Sequence, residues 1–217
     1  GYAMGICILC GEEAAYSDSY SGFMTLRRLA CDATSLYLLD LASKPPAKRA
    51  QQIISVRGVD DMGQLDTITT EVIECALKST SDVIKDGRVD DSMHDAMMWR
   101  RHQVFADLGL SGLIDLVYHS DSDGYYTVGM ATDILAWWAR VSSFYVQAVA
   151  QFVSSLPSNR DMQERMDSIA KRVCTGVRVI VGRNEDGDIR SRYAASMDHL
   201  IAVFHEVVKT ETVACIC

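Results

Sequence analysis

The longest apolar segment of the sequence runs from Thr127 to Val153 and contains the adjacent tryptophans Trp137 and Trp138. Its apolar residues recur at intervals of three and four, the spacing that brings side chains onto one face of an α-helix. Only a narrow strip is polar, and it consists of Asp133, Arg140, Ser143, Gln147 and Gln151. A helix that is apolar over most of its circumference needs neighbours on several sides, so we expect this segment to be the central helix of the core.

The same segment is not expected to cross a membrane. Asp133 and Arg140 interrupt its apolar run, whereas a bilayer span needs about 20 consecutive, predominantly apolar residues. The formal net charge of −8 favours solubility and argues against a surface that wraps the phosphate backbone of a nucleic acid. We therefore expect no transmembrane segment and no nucleic-acid partner.

Helical spacing also dominates the rest of the chain, and no alternating strand pattern of useful length is present. Besides the central helix, helices are predicted over Phe23–Ser43, Ala47–Val56, Asp60–Ile84, a segment from Asp90 toward Phe105, Leu108–Tyr118, Asp161–Val181 and Arg190–Val208. Only three residues are proline, which suits long helices because proline breaks helix interiors. The predicted fold class is all-α, with about seven helices packed around the central one.

The predicted domain organisation is simple. Residues 1–21 have no clear period and end in a polar, tyrosine-rich run, so they are predicted to form an N-terminal arm or loop. Residues 22–217 are predicted to form a single helical domain, since no break in composition demands a second one. The run Lys44-Pro45-Pro46 ends the first helix of that domain, because a proline disfavours the helical conformation in the residue before it.

The seven cysteines are odd in number and irregularly spaced, which does not indicate a disulfide framework. Cys31, Cys75 and Cys174 lie among apolar residues in helical patterns. A free cysteine in such a pattern behaves as a small hydrophobic residue, so we expect these thiols to be buried. Free thiols are typical of reducing compartments, and the expected location is therefore the cytoplasm or the nucleus.

Two cysteine pairs lie near opposite ends of the sequence. Cys7 and Cys10 have the CxxC spacing of half a zinc site, and Cys215 and Cys217 are the only paired thiols that could complete a four-thiolate site. If the two ends meet, zinc would join them. The alternative is that these are unrelated thiols on two frayed ends. No other cofactor is expected.

No local motif indicates catalysis, since the sequence has no GxSxG, no phosphate-binding GxxxxGK[ST] and no GxGxxG. We therefore expect a non-catalytic module that binds a protein partner. Trp137 and Trp138 cannot both point inward on one helix face, so one of them is a candidate partner contact.

Two alternatives remain open. One is a self-assembling structural protein of the coat or matrix type, in which the surplus of apolar residues forms subunit contacts. The other is an all-α magnesium-dependent enzyme, in which Asp90, Asp91 and Asp95 would hold the metal ion against a diphosphate.

Residues Arg100–Ala139 resemble an armadillo-type helical repeat. The resemblance rests on a glycine break, a short helix of the form LIxLV, a small acidic turn and a longer apolar helix. These parts correspond to Gly109, Leu113-Ile114, Leu116-Val117, Asp121–Gly124 and Ile134-Leu135, and a second partial copy covers Val173–Phe204. The resemblance implies a curved stack of helices that binds partners on one face. A generic helical bundle is the alternative.

Overall fold

The computed structural model describes residues 5–45, 48–49, 70–85, 88–89, 103–118, 124–156, 164, 168 and 186–217. Its helices are α1 (Tyr20–Ser43), α2 (Thr70–Val83), α3 (Ser111–Tyr118), α4 (Val128–Ser155) and α5 (Asp186–Thr210), with a further helical turn over 103–107. Its strands are β1 (Gly5–Cys10), β2 (Ala14–Ser19), β3 (Ile84–Lys85), β4 (Arg88–Val89), β5 (Tyr125–Tyr126) and β6 (Ala214–Ile216). The described part is thus mostly helical, with a small antiparallel sheet.

The apolar segment predicted as a central helix is α4, and this prediction is confirmed. Thr127 caps the helix, because its hydroxyl accepts a hydrogen bond from the backbone N–H of Met130 at 3.3 Å. α4 packs against α1, α3 and α5. Its buried face consists of Ala131, Ile134, Trp137, Arg140, Val141, Tyr145, Ala148, Val149 and Val153. Helices on three sides cover this face, as its wide apolar stripe requires.

The first and last helices are also confirmed, with longer bounds than predicted. α1 begins at Tyr20 because Ser19 caps it, accepting a hydrogen bond from the backbone N–H of Gly22 at 3.1 Å. It ends at Ser43, before Lys44-Pro45, as the proline rule predicts. α5 begins at Asp186, four residues before the predicted start.

Within the central helix, the main error of the prediction concerns the exposure of Arg140. The sequence assigns it to the polar strip, but the side chain is only 6% exposed. Its guanidinium lies against Gly109, where a Cβ atom would be 2.7 Å from Cζ of Arg140. Gly109 also has a φ of +70°, a conformation that glycine adopts without strain. The absence of a side chain at Gly109 therefore leaves the space in which the arginine is buried.

The prediction of an all-α fold is wrong in one respect, because the chain also forms two antiparallel sheets. The larger has the strand order β2-β1-β6-β5, and the smaller pairs β3 with β4. Residues 5–19, predicted as an arm or loop, form the β1–β2 hairpin, and Gly11 makes its turn with a φ of +62°. The larger sheet packs one face against α5. The buried residues on that face are Ile6, Ile8, Cys10, Tyr16, Tyr126, Ala214 and Ile216.

Several predictions concern residues outside the described part. The helix predicted over Asp60–Ile84 is described only from Thr70, and the one over Ala47–Val56 only at residues 48–49. Most of Asp161–Val181, the aspartates of the magnesium alternative and Cys174 are also outside it. The armadillo resemblance and the number of helices therefore stay predictions.

Candidate functional site

The sheet brings the two ends of the described chain together. β1 pairs with β6 in antiparallel register, with Ile8 opposite Ile216 and Leu9 opposite Cys215. The pairing extends to Cys7 and Cys217, which exchange two backbone hydrogen bonds of 3.0 and 2.8 Å. The two cysteine pairs singled out from the sequence therefore lie on neighbouring strands.

Side chains along a strand alternate between the two faces of a sheet. The buried residues of β1, β2, β5 and β6 face α5, and the residues between them form the opposite face, which we call the outer sheet face. Its members are Gly5, Cys7, Leu9, Ala15, Ser17, Ser19, Tyr125, Cys215 and Cys217. None of these residues has a charged side chain, although 23% of the whole sequence is Asp, Glu, Lys or Arg.

Apolar side chains are accessible on this face. Tyr125 is 60% exposed and Leu9 is 37% exposed, and both lie opposite Cys215 on the strands beside it. Val213, which precedes β6, is 44% exposed. Sequence reasoning missed these residues because it assigned no strands here. Because Cys7 and Leu9 are not polar, residues 5–10 have no alternation of apolar and polar side chains that could have identified β1.

Three of the four predicted zinc ligands share the outer sheet face. Cys215 and Cys217 are exposed, and Cys7 is half-buried. The thiol of Cys217 lies 3.7 Å from the carbonyl oxygen of Cys7. Burial raises the pKa of the Cys7 thiol, and the adjacent Cys217 thiol raises it further. The Cys217 thiol therefore lies beside the backbone of Cys7.

The fourth predicted zinc ligand, Cys10, lies on the opposite face of the sheet. It is buried, and its sulfur lies 3.4 Å from the hydroxyl of Thr212. Residues three apart on a strand point to opposite faces, so Cys7 and Cys10 do not converge as a zinc knuckle would. Within the described ranges, no cluster of three or more His, Cys, Asp or Glu side chains is placed to hold a metal ion.

The two candidate tryptophans have different environments. Trp137 is fully buried, and its indole Nε1–H donates a hydrogen bond to the hydroxyl of Thr34 at 2.9 Å. Trp138 is half-buried and packs edge-on against Tyr145, with 5.4 Å between ring centroids. Trp137 is therefore a core residue, and only Trp138 has a surface that a partner could contact.

The other described cysteines and the groove between α1 and α4 are weaker candidates for a functional site. Cys31 is buried in α1, as predicted, but Cys75 is exposed on α2, contrary to prediction.

An open groove of about 320 Å³ lies between α1 and α4, where the guanidinium of Arg28 is 3.9 Å from the carboxylate of Asp32. Burial raises the pKa of Asp32, and Arg28 opposes the rise. The described residues that line the groove include no histidine or cysteine, so they provide neither a nucleophilic thiol nor a histidine base.

Comparison with known protein families, with curated proteins and with solved structures finds no match to this chain. Among the helices of the described part, none has both the length and the apolar character that a membrane span requires. Functional inference therefore depends on the residues of the chain itself, and the outer sheet face is the strongest candidate site.

Proposed function

We propose that this protein is a non-catalytic interaction module that binds a protein partner through the outer sheet face. The observation that supports the proposal is the composition of this face, in which exposed Leu9 and Tyr125 surround thiols and small side chains without any charge. Depletion of charge and enrichment of aromatic residues are typical of the centre of a protein–protein interface. Tyr125 is the expected anchor residue, because aromatic side chains dominate binding energy at such centres.

The rigidity of the sheet favours the same role. Its inner face packs on α5, where the rings of Tyr126 and Phe204 meet edge-to-face with centroids 4.9 Å apart. A surface held on packed strands loses little conformational entropy when it binds. The expected partner presents an apolar surface of its own, and the proposal assigns the chain no catalytic activity, no nucleic-acid partner and a cytoplasmic location.

The test compares substitutions on and off the outer sheet face. Leu9→Glu and Tyr125→Glu place a charge at the centre of the proposed interface, and Val146→Glu places the same charge on α4, where Val146 is 68% exposed. Tagged full-length proteins, shown by circular dichroism to be folded, would be used to isolate partners for quantitative mass spectrometry. A specific partner should be lost at least about tenfold with the two sheet variants and retained with Val146→Glu. Equal recovery with all three variants would contradict the proposal.

Self-assembly is the second candidate, and the order of the strands favours it. β2 and β5 are the outermost strands of the larger sheet, and an edge strand can pair with a strand of another molecule. Light scattering across a dilution series separates the two functions. A mass that rises with concentration, and that falls to the monomer value in Tyr125→Glu on the edge strand β5, would make a second copy of this chain the partner. A monomer at every concentration would exclude self-assembly.

A further inference from the structure

We propose that Cys7 and Cys217 form a reversible disulfide that joins β1 to β6, by exchange with a low-molecular-weight disulfide such as glutathione disulfide. The register of the sheet places two thiols that are 210 positions apart in the sequence on directly opposite residues.

The backbone geometry fits a disulfide. Cys7 and Cys217 exchange both backbone N–H···O bonds, which makes them a hydrogen-bonded antiparallel pair. Such a pair has about 5.5 Å between Cα atoms, and disulfides join Cα atoms about 4.4 to 6.8 Å apart. Both side chains lie on the outer sheet face. Directly opposite residues of antiparallel strands have Cβ atoms about 4.5–5.5 Å apart, so the two Cβ atoms must approach by up to about 1 Å to reach the roughly 3.5–4.5 Å of a disulfide.

The chemistry requires two successive exchange steps. Cys217 is the more exposed thiol, so its thiolate attacks one sulfur of glutathione disulfide and releases one glutathione thiolate. The thiolate of Cys7 then attacks Sγ of Cys217 in the mixed disulfide and releases the second glutathione. The protein loses two thiol protons and two electrons. The glutathione disulfide gains both electrons, and the two protons pass through solvent to the released thiolates.

The other thiols on the sheet are less well placed. Cys215 lies opposite Leu9 on one side and Tyr125 on the other, so no thiol is directly opposite it. Cys7 is its diagonal neighbour, and diagonal pairs are about 7–8 Å apart, beyond the range of a disulfide. Cys10 points to the inner face and contacts Thr212. Cys215 and Cys217 are two residues apart on one strand, about 6.6 Å along its axis, which is close to the upper limit for a disulfide. Cys7–Cys217 is therefore the favoured pair.

The test uses the full chain in its reduced form. The protein would be equilibrated with excess glutathione disulfide, its remaining thiols alkylated, and the chain digested without reductant for peptide mapping by mass spectrometry. The dominant product should be a linked peptide pair that contains Cys7 and Cys217, and dithiothreitol should restore the reduced mass. Cys215→Ser is the matched control and should keep the link, whereas Cys7→Ser and Cys217→Ser should lose it completely.

Three results would overturn the inference. In the first, the protein stays reduced. In the second, glutathione is attached to Cys215 and Cys217, and Cys7 is not linked to either. In the third, the disulfide joins Cys215 to Cys217 or joins two molecules. Because all substitutions are cysteine to serine on the surface of the sheet, circular dichroism provides a direct check that each variant is folded.

Discussion

Buried polar side chains show how strongly single residues constrain this core. The hydroxyl of Thr34 accepts a hydrogen bond from Nε1–H of Trp137 at 2.9 Å and donates one to the carbonyl oxygen of Ala30 at 2.8 Å. The indole N–H and the Thr34 hydroxyl both lie in the interior, where a polar group without a hydrogen-bond partner lowers the free energy of unfolding. The tryptophan can be fully buried only because α1 provides an acceptor at this position.

Thr34→Val should lower the free energy of unfolding by about 1–3 kcal/mol, because it leaves the indole N–H buried without an acceptor. Thr132→Val is the matched control, since Thr132 is exposed on α4 and its hydroxyl makes the same type of bond to the carbonyl oxygen of Val128 at 2.8 Å. The control should change stability by less than about 0.5 kcal/mol. Urea unfolding of both variants measures the difference, and equal effects would show that the indole bond contributes little.

Cys31 should make the protein sensitive to alkaline pH. Burial raises the pKa of its thiol from 9.0 to about 12, Asp32 adds to the rise, and Arg27 opposes it. Between pH 9 and about pH 12, the Cys31 thiol is deprotonated in the unfolded chain and protonated in the folded chain. The free energy of unfolding therefore falls as pH rises above 9, by an amount that approaches about 1.4 kcal/mol per pH unit, and this contribution is constant at lower pH.

The variant Cys31→Ala removes this titration. Its stability, measured by urea unfolding from pH 8 to pH 11, should fall less steeply with pH than that of the parent protein. Burial also raises the pKa of Tyr16 and of Tyr145, but both tyrosines are present in both proteins, so the difference in slope isolates the thiol. Parallel curves would contradict the assignment.

At the scale of whole elements, the contact between α3 and α4 depends on a glycine. A Cβ atom on Gly112 would collide with the backbone of Asp133 and Ile134 in α4. The backbone of a packed helix cannot move away as a flexible side chain can. The short helix α3 therefore approaches the central helix closely only because residue 112 has no side chain.

Gly112→Ala should destabilise the protein by about 2 kcal/mol or more, since the two helices must separate. Gly129→Ala is the matched control in the first turn of α4, where the only atom near a new Cβ is the hydroxyl oxygen of Thr127 at 3.9 Å. Alanine should stabilise that turn by about 0.5–1 kcal/mol, because it restricts the unfolded chain. Thermal unfolding should thus move in opposite directions for the two variants, and a shift of the same sign in both would contradict the packing.

The difference between local helical signals and long-range strand pairing explains which elements could be predicted from the sequence. The existence of α1, α4 and α5 follows from helical spacing, and the end of α1 follows from Lys44-Pro45, because both signals are local properties of the chain. The larger sheet is different, since β1 and β6 lie at opposite ends of the sequence and β6 is only three residues long. Cys7 and Leu9 on the outer face are also not polar, so β1 lacks the apolar–polar alternation that marks a half-buried strand.

The candidate site was predictable only in part, for the same reason. The cysteine spacing identified Cys7, Cys10, Cys215 and Cys217 as residues of interest. The zinc hypothesis was conditional on the two ends meeting, and the register of the sheet brings β1 beside β6. Which face each thiol occupies depends on strand conformation, which no local pattern indicated. Arg140 shows the same limit within a helix, because the space that buries it comes from Gly109 on a distant segment.

For the molecule as a whole, the larger sheet joins the two ends of the described chain to a single core. Ile8 and Tyr126 are fully buried, and Ala214 and Ile216 of β6 belong to the same hydrophobic cluster as Trp137 in α4. β6 is the strand that connects β1 to β5, so it closes the sheet over α5. A short strand in this position should affect the stability of the entire domain.

Deletion of residues 211–217 should therefore destabilise the helical core as well as the sheet. Removing Ile216 alone takes away a buried side chain whose loss costs about 2–5 kcal/mol, and the amide of Cys7 loses its acceptor on Cys217. We expect the free energy of unfolding to fall by at least about 3 kcal/mol and hydrogen exchange to accelerate both at Cys7 and at Val141 in α4. Val213→Ser, at an exposed position beside β6, should change neither quantity appreciably.

The two exchange rates distinguish a cooperative molecule from a helical body with an appended sheet. If the sheet were an appendage, the deletion would accelerate exchange at Cys7 and leave Val141 unchanged, since local opening of β1 would not expose the core around α4. If the sheet is part of one cooperative unit, both amides report the same global free energy, and both rates rise together. The continuous burial from Ile8 through Trp137 predicts the second result. Any change at the outer sheet face, whether a bound partner or a disulfide between Cys7 and Cys217, would then alter the stability of the whole domain.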